Sequence, residues 1–322
     1  VNIIQSLNHT LHSQFAKNSS LITFGEDCGY FGGVFRVTAG LQEKFGEERC
    51  FNTPLSEQGI VGFAIGAAQK GLKPICEIQF ADYIFPAYDQ IVNELAKMRY
   101  RTGNQYSCPV VIRAPYGGGI HGGHYHSQSP EAQFLHTPGL HVVVVSSPYD
   151  AKGLLISAIK GDDPVLFLEP KRIYRSLKEE VPEEEYAIPL GEAEIAKQGE
   201  HLTLIGWGAQ HWQNMEAAKE VEEEYDVEVE VINLRSLNPL DRDTIAASVE
   251  KTGRCVVAHE APKTCGFGAE IAAIVMESCF LYLRAPVRRV CGLDTPFPHT
   301  LEKEYLPDKD RVKRGIIETI NF

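Results

Sequence analysis

Five short apolar runs, rich in β-branched residues, constrain this chain more than anything else in it. They are "LITFG" at 21–25, "KPICEIQ" at 73–79, "PVVIRAP" at 109–115, "HVVVVSS" at 141–147 and "PVLFLEP" at 164–170. None alternates cleanly between apolar and polar positions, so each strand is buried on both faces, and such strands form a parallel sheet covered by helices on both sides. The intervening segments carry helical spacing. Residues 2–17 place Ile3, Ile4, Leu7, Leu11 and Phe15 on one helix face; Ser56 caps a small-residue helix that stops at Gly71; 82–100 reads as one long helix; and 151–160 reads as another. At 176–200 the composition turns acidic, with Pro182 and Pro189, and the apolar period lapses. The alternation then resumes, with strands at 202–206, 227–233, 254–259 and 287–291, helices at 209–225, 241–252 and 267–283, and a tail helix at 309–320. The expected organisation is two α/β domains, 1–180 and 201–322, joined by a solvated linker at 181–200.

Several function classes fall away on charge and composition. The net charge of −12 over 322 residues disfavours a nucleic-acid partner, which needs a basic face. No apolar run reaches the ~20 residues of a membrane span. No charged-then-apolar leader is visible, although an opening at Val1 leaves room for a processed start. The eight cysteines never come as Cys-x-x-Cys, and several lie in strand-like contexts. Free buried thiols in a reducing compartment, cytosol or organelle matrix, are the expectation.

In open α/β sheets ligands gather beyond the carboxyl ends of the strands. Four polar clusters fall there: Glu26-Asp27; Leu55-Ser56-Glu57; Gln79 to Tyr83, containing Phe80, Ala81 and Asp82; and the glycine-rich stretch "GGGIHGGHYHSQS" at 117–129. Glu57 supports two readings, a first-turn carboxylate meeting the helix dipole or a desolvated carboxyl sharing a proton with a ring nitrogen. The glycines and alanines that follow it admit a close neighbour. Three readings stay open for His121, His124 and His126: metal ligands, solvated structural histidines, or acid/base and substrate contacts. His124 and His126 are expected to share one side of an extended segment, with Tyr125 opposite. "SQSPEA" then caps a helix through Ser129 with Pro130 at its first position. No Gly-x-Ser-x-Gly, Walker loop or His-Glu-x-x-His occurs, nor a Gly-Asp-Gly followed by Asn.

"GEDCGYFGGVFRVTAGLQEKFG", "NTPLSEQGIVGFAIGAA", "EIQFADYIFPAYDQIVNELAKMRYRTG" and "HYHSQSPEA", in that order, resemble the β subunit of the decarboxylase component of 2-oxo acid dehydrogenase complexes. "FLEPKRIYR" and "DTPFPH" extend the likeness over nearly the whole chain, and "QFADYIFPAYDQIVNE" with "HSQSPEA" most resembles the branched-chain members. The resemblance implies a transketolase-like pyrimidine-binding domain followed by a transketolase C-terminal-like domain. It implies thiamine diphosphate bound between this chain and an unlike α chain, in a tetramer of two of each. The α chain would carry the Mg²⁺–diphosphate clamp missing here, and a lipoyl-bearing acyltransferase core would take the product.

Carried over by motif, Glu57 would face the aminopyrimidine nitrogen. Glu26, Leu55, Ser56, Gln79 and Tyr83 would line the cofactor pocket. Phe80 to Tyr83, Gly118, Gly119, Ile120, His121 and His126 would lie near substrate, with His126 as the catalytic histidine. The family's potassium site falls on "AIKGDDP", which places a possible K⁺ near Asp162 and Asp163. A pyruvate or acetoin enzyme, a non-catalytic scaffold for the acyltransferase core, and a metallohydrolase built on the histidine loop remain the competing expectations.

Overall fold

The computed structural model describes all residues, 1–322, and groups them into two compact units, 1–116 with 133–190 and 117–132 with 191–322. The grouping departs from a cut at 180. The histidine stretch belongs with the second unit, and residues 181–190 belong with the first.

The first half of the chain runs α1 (Ile3–Lys17), β1 (Leu21–Gly25), α2 (Leu41–Phe45), β2 (Cys50–Asn52), α3 (Glu57–Gln69), β3 (Lys73–Glu77), α4 (Met98–Arg101), β4 (Val111–Tyr116), α5 (Glu131–Leu135), β5 (His141–Val144), α6 (Pro148–Lys160) and β6 (Val165–Pro170). A capping box opens α1. Asn2 Oδ1 accepts from the Gln5 amide and Gln5 Oε1 accepts from the Asn2 amide, both at 2.9 Å. Its buried face is Ile3, Ile4, Leu7, Leu11 and Phe15, as the spacing predicts. The strands of this unit lie in the order β5-β6-β4-β3-β1-β2, and each adjacent pair is parallel. One register row crosses them all: His141, Val165, Val111, Ile75, Thr23, Cys50. Two residues on, the row brings Glu77 beside Arg113, so both side chains leave the same face of the sheet. Arg113 donates through Nη1 to Glu77 Oε2 at 2.7 Å, and through Nε and Nη2 to Glu169 at 2.7 and 2.8 Å. The Tyr174 hydroxyl donates to Glu169 as well.

The long helix expected at 82–100 is broken into short turns. Ala81–Tyr83 and Phe85–Ala87 are 3₁₀ turns, Gln90–Leu95 is a π turn, and Met98–Arg101 is a four-residue α-helix. Pro86 has no amide to donate and disfavours the α conformation at Phe85, so a regular helix cannot run through this point. The acidic stretch is less free than a solvated linker. Glu185 accepts from Gln14 and pairs with Lys17 and Lys160, while Lys152 donates to the carbonyls of Pro182, Glu183 and Glu184.

The second unit contains β7 (Glu194–Lys197), β8 (Leu202–Gly206), α7 (Ala209–Tyr225), β9 (Val229–Asn233), β10 (Ser236–Asn238), α8 (Arg242–Thr252), β11 (Cys255–Pro262), α9 (Gly268–Cys279), β12 (Arg288–Gly292), α10 (Glu302–Tyr305) and α11 (Lys309–Ile320). Its sheet is ordered β12-β11-β8-β9-β7, with only β7 antiparallel to its neighbour. The β7 strand lies inside the stretch read as linker, a four-residue segment too short and too charged to declare itself. Leu202, Leu204, Val229, Val231, Val256 and Ala258 meet Val312 and Ile316 of α11 in the core. Aspartates cap α8 and α11: Asp241 accepts from the Thr244 amide and Asp308 from the Arg311 amide. The helix expected to reach 283 stops at Cys279 and continues as one 3₁₀ turn. All eight cysteines are free and only Cys265 is exposed. No helix is long and apolar enough to cross a membrane.

Removing Arg113 leaves Glu77 and Glu169 buried without their cation. Arg113→Met should therefore lower the unfolding free energy by about 3–5 kcal/mol in a denaturant titration. Arg101→Ala, which breaks the half-exposed pair with Glu94, should cost no more than about 1 kcal/mol in the same titration.

Candidate active site

Glu26 leaves the carboxyl end of β1 directly after Gly25. A Cβ at Gly25 would stand 2.5 Å from the Glu77 carbonyl, so only glycine lets the two strands meet so closely there. Glu26 is buried, and it hydrogen-bonds to Glu57, the first residue of α3. Burial, followed by the neighbouring charges of Glu57 and Asp27, pushes the Glu26 carboxyl up to about 7. Below neutrality the Glu26 carboxyl is therefore a proton donor beside Glu57. The same cluster pushes the Tyr83 phenol up, through burial first and then the charges of Asp82, Glu26 and Glu57. Phe80 packs edge-on against Tyr83 at 5.7 Å and against Phe35 at 5.5 Å, with the Lys171 ammonium 5.6 Å from its ring centre. Ala81 and Asp82 are buried in the turn between them.

Of the first-unit residues singled out in the sequence, the structure gathers Glu26, Glu57, Asp82, Tyr83 and Phe80. Gln79 sits half-buried just beyond β3, while Leu55 and Ser56 lie exposed. Ser56 occupies the N-cap position of α3 but accepts no capping bond, contrary to expectation. Glu57 alone supplies a side-chain charge in that first turn.

The histidine stretch is not extended. Gly123–Tyr125 form a 3₁₀ turn closed by the His126 amide on the Gly123 carbonyl. Gly123 adopts φ 62°, a conformation that pulls the chain away from the strand geometry the alternation suggests. As a result His124 and Tyr125 lie on one side with ring centres 4.0 Å apart, and His126 is half-buried. The following helix begins at Glu131, one residue later than expected.

The loop is held by carboxylates through its backbone. Glu302 spans two amides, accepting from Gly119 at 3.0 Å and from His121 at 3.1 Å, and Glu260 accepts from Gly118 at 3.3 Å. His121 is thereby fixed at φ 54°, unusual for a residue with a side chain. Gly118 lies so close to Phe297 that a Cβ would come within 2.8 Å of the ring. Ile120 and the His121 ring remain exposed. No group of three or more His, Cys, Asp or Glu is placed to hold a metal ion, so the three imidazoles do not form a ligand set.

Sequence reasoning missed Glu260 and Glu302, and it gave no chemistry to "AHEAPKTCGFGAE" or "VCGLDTPFPH". Both stretches leave the carboxyl ends of β11 and β12, and that position was the available signal. They bring a second buried polar group with them. His259 stacks on Trp207 with centres 5.2 Å apart and meets Cys291 Sγ at 3.3 Å, while Trp207 Nε1 donates to Glu131 at 3.3 Å. Burial pushes His259 down to about 4, so it is neutral at physiological pH. Burial pushes Glu131 up to about 8, against the opposing Trp207 hydrogen bond. A carboxyl whose folded pKa lies above its unfolded value stabilises the fold most at low pH and loses that contribution as pH rises through the folded pKa. Glu131 should therefore make stability decline between about pH 4.5 and 8. Glu131→Gln should flatten that part of the curve when thermal midpoints are measured across the range.

Residues 1–176 match the transketolase pyrimidine binding domain family, and residues 191–312 match the transketolase C-terminal domain family. Among curated proteins the chain is 57% identical to the mitochondrial 2-oxoisovalerate dehydrogenase subunit beta of Dictyostelium discoideum, over 100% of this chain and 87% of that one. It is 48% identical to the 2-oxoisovalerate dehydrogenase subunit beta of Pseudomonas aeruginosa, covering 96% and 92%. It is 46% identical to the pyruvate dehydrogenase E1 component subunit beta of Staphylococcus epidermidis, covering 99% and 98%. A solved split-gene transketolase, an inactive beta4 tetramer, shares the fold at a TM-score of 0.80 and 22% identity, covering 100% and 98%. With both domains matched in order and near-complete coverage by such relatives, the chain belongs to the β-subunit family of the 2-oxo acid dehydrogenases and is built on the transketolase fold.

Proposed function

We propose that this chain is the β half of a thiamine-diphosphate-dependent dehydrogenase that oxidatively decarboxylates branched-chain 2-oxo acids and passes the acyl group to a lipoyl arm. The observation that carries the proposal is the Glu26–Glu57 hydrogen bond at the start of α3, where a buried carboxyl keeps its proton up to about pH 7. Such a pair can hand a proton to an aminopyrimidine ring nitrogen and take it back, which is what the cofactor's pyrimidine requires of its protein. When bound, thiamine diphosphate supplies the carbanion and the electron sink that decarboxylation needs.

Glu57 holds the proton at the pyrimidine nitrogen, and Glu26 keeps Glu57 oriented. Phe80 and Tyr83 line the apolar side of the pocket, with Leu55, Ser56, Gln79, Ala81 and Asp82 as its remaining cofactor and substrate contacts. In the loop, Gly118, Gly119 and Ile120 admit substrate. His121 and His126 meet it, and His126 steadies negative charge during acyl transfer. An α chain carries the Mg²⁺–diphosphate clamp, two of each chain make the working unit, and an acyltransferase core bears the lipoyl group. The protein works in the cytoplasm of a bacterium or in a mitochondrial matrix, as the relatives' settings suggest. Preference for branched-chain acids over pyruvate follows the order of identities, 57% against 46%. One methylene in an apolar pocket is worth ~1–3 kcal/mol, so that preference should be graded rather than absolute.

Three measurements on the enzyme reconstituted with its α chain check these roles. Glu57→Gln should slow hydrogen exchange at the thiazolium carbon by about 10²-fold or more while the assembly stays intact; an unchanged rate removes the role. His126→Ala should depress lipoyl acylation more than decarboxylation assayed with an artificial electron acceptor; equal losses place the histidine at the earlier step. Turnover compared between branched-chain acids and pyruvate decides the substrate.

A further inference from the structure

The resemblance implies a potassium ion near Asp162 and Asp163, and the side chains present do not fit one. Ile159 and Lys160 end α6, and Gly161 is its C-cap. A helix leaves its last carbonyls without partners inside the helix, and its dipole makes that end negative, which is where a cation is held. Here Lys73 Nζ donates to the Ile159 carbonyl at 3.1 Å, to the Lys160 carbonyl at 3.3 Å and to the Gly161 carbonyl at 3.0 Å. An ammonium has three donors, and all three are directed at this cage. The same Nζ lies 3.7 Å from Asp162 Oδ1. Asp163 is taken as well, by Arg99 Nε at 2.5 Å, and Arg99 also donates to Asn104.

Lys73 reaches the turn because of where the sheet puts it. It is the first residue of β3, at the amino-terminal edge of the strands, the edge at which α6 ends before β6 begins. Its side chain is about a quarter exposed, so the ammonium does not bear the full cost of leaving water.

We propose that the ammonium of Lys73 takes the place of a monovalent metal ion at the α6–β6 turn, and that this chain needs no potassium there. A potassium ion and an ammonium carry the same charge and are of similar size, so the carbonyls of Ile159, Lys160 and Gly161 can hold one or the other but not both. The tethered cation differs in one respect: its occupancy does not depend on salt in the medium. The proposal concerns this turn alone and holds whichever 2-oxo acid the enzyme takes.

Crystals of the full chain grown in rubidium chloride, with the ion located by its anomalous scattering, test it. The wild type should show no rubidium within coordination distance of the three carbonyls, and Lys73→Met should show one. Rubidium at the turn of the wild type overturns the proposal. A turn without rubidium in Lys73→Met overturns it too, because the lysine is then not what keeps the metal out. Lys73→Gln provides a second reading in solution should the methionine variant fold poorly. Its thermal midpoint should rise by about 2–4 °C more than the wild type's when choline chloride is replaced by potassium chloride. An equal response in the two proteins overturns the proposal.

Discussion

The carboxyl edge of the first sheet rests on one guanidinium. Arg113 has no exposed surface, stands in register with Glu77, and grips Glu169 with two parallel bonds. Two carboxylates against one cation leave the group negative, and the hydroxyl of Tyr174 meets part of the excess on Glu169. Burial pushes Glu77 up while Arg113 holds it down. Some of that negative potential reaches the next strand, where Glu77 is among the charges that keep a proton on Glu26. The ion group that holds three strands together therefore also biases the acid that touches Glu57. Structure and chemistry share a set of side chains here, which is why none of them is exposed.

The histidine loop is secured in a different way. Its glycines leave backbone amides that no helix or strand satisfies, and buried or loop-exposed amides need partners. Glu260 and Glu302 supply them from stretches far along the chain. The grip on these amides comes from carboxylates, and the His121 ring itself meets the His299 carbonyl at 3.4 Å. Glu131 and His259, both buried and both neutral near pH 7, bury polar atoms without adding charge.

Much of this was legible in the chain because it depends on local period. The bounds of α7 and α11 and the strand at 202–206 follow from spacing alone, and Glu57 stands at the start of α3 as its position suggests. What was not legible depends on distant partners or on one backbone angle. The apolar period from 82 to 100 survives in the sequence while Pro86 breaks the hydrogen-bond ladder beneath it. The alternation His124-Tyr125-His126 promises a strand, but Gly123 turns the chain at φ 62°. Glu302 sits 181 residues from the amide of His121, and nothing local marks it as a clamp. The acidic stretch looked free because its cations, Lys17, Lys152 and Lys160, lie elsewhere in the sequence.

A parallel sheet with crossover helices sorts charge along its strands. Helices start near the carboxyl edge and end near the amino edge, so their dipoles present positive ends to one and negative ends to the other. The first unit follows this order. Glu57 begins α3 at the carboxyl edge, in the company of Glu26 and Asp82, and Lys73 meets the last carbonyls of α6 at the amino edge. Burial raises Glu26 most, and the carboxylates gathered at this edge, Glu57, Asp27 and Glu77, raise it further. A ligand entering there gains most if it brings a proton acceptor or a positive charge. A neutral aminopyrimidine ring nitrogen would offer the first and a thiazolium the second, whereas a bare anion would meet repulsion.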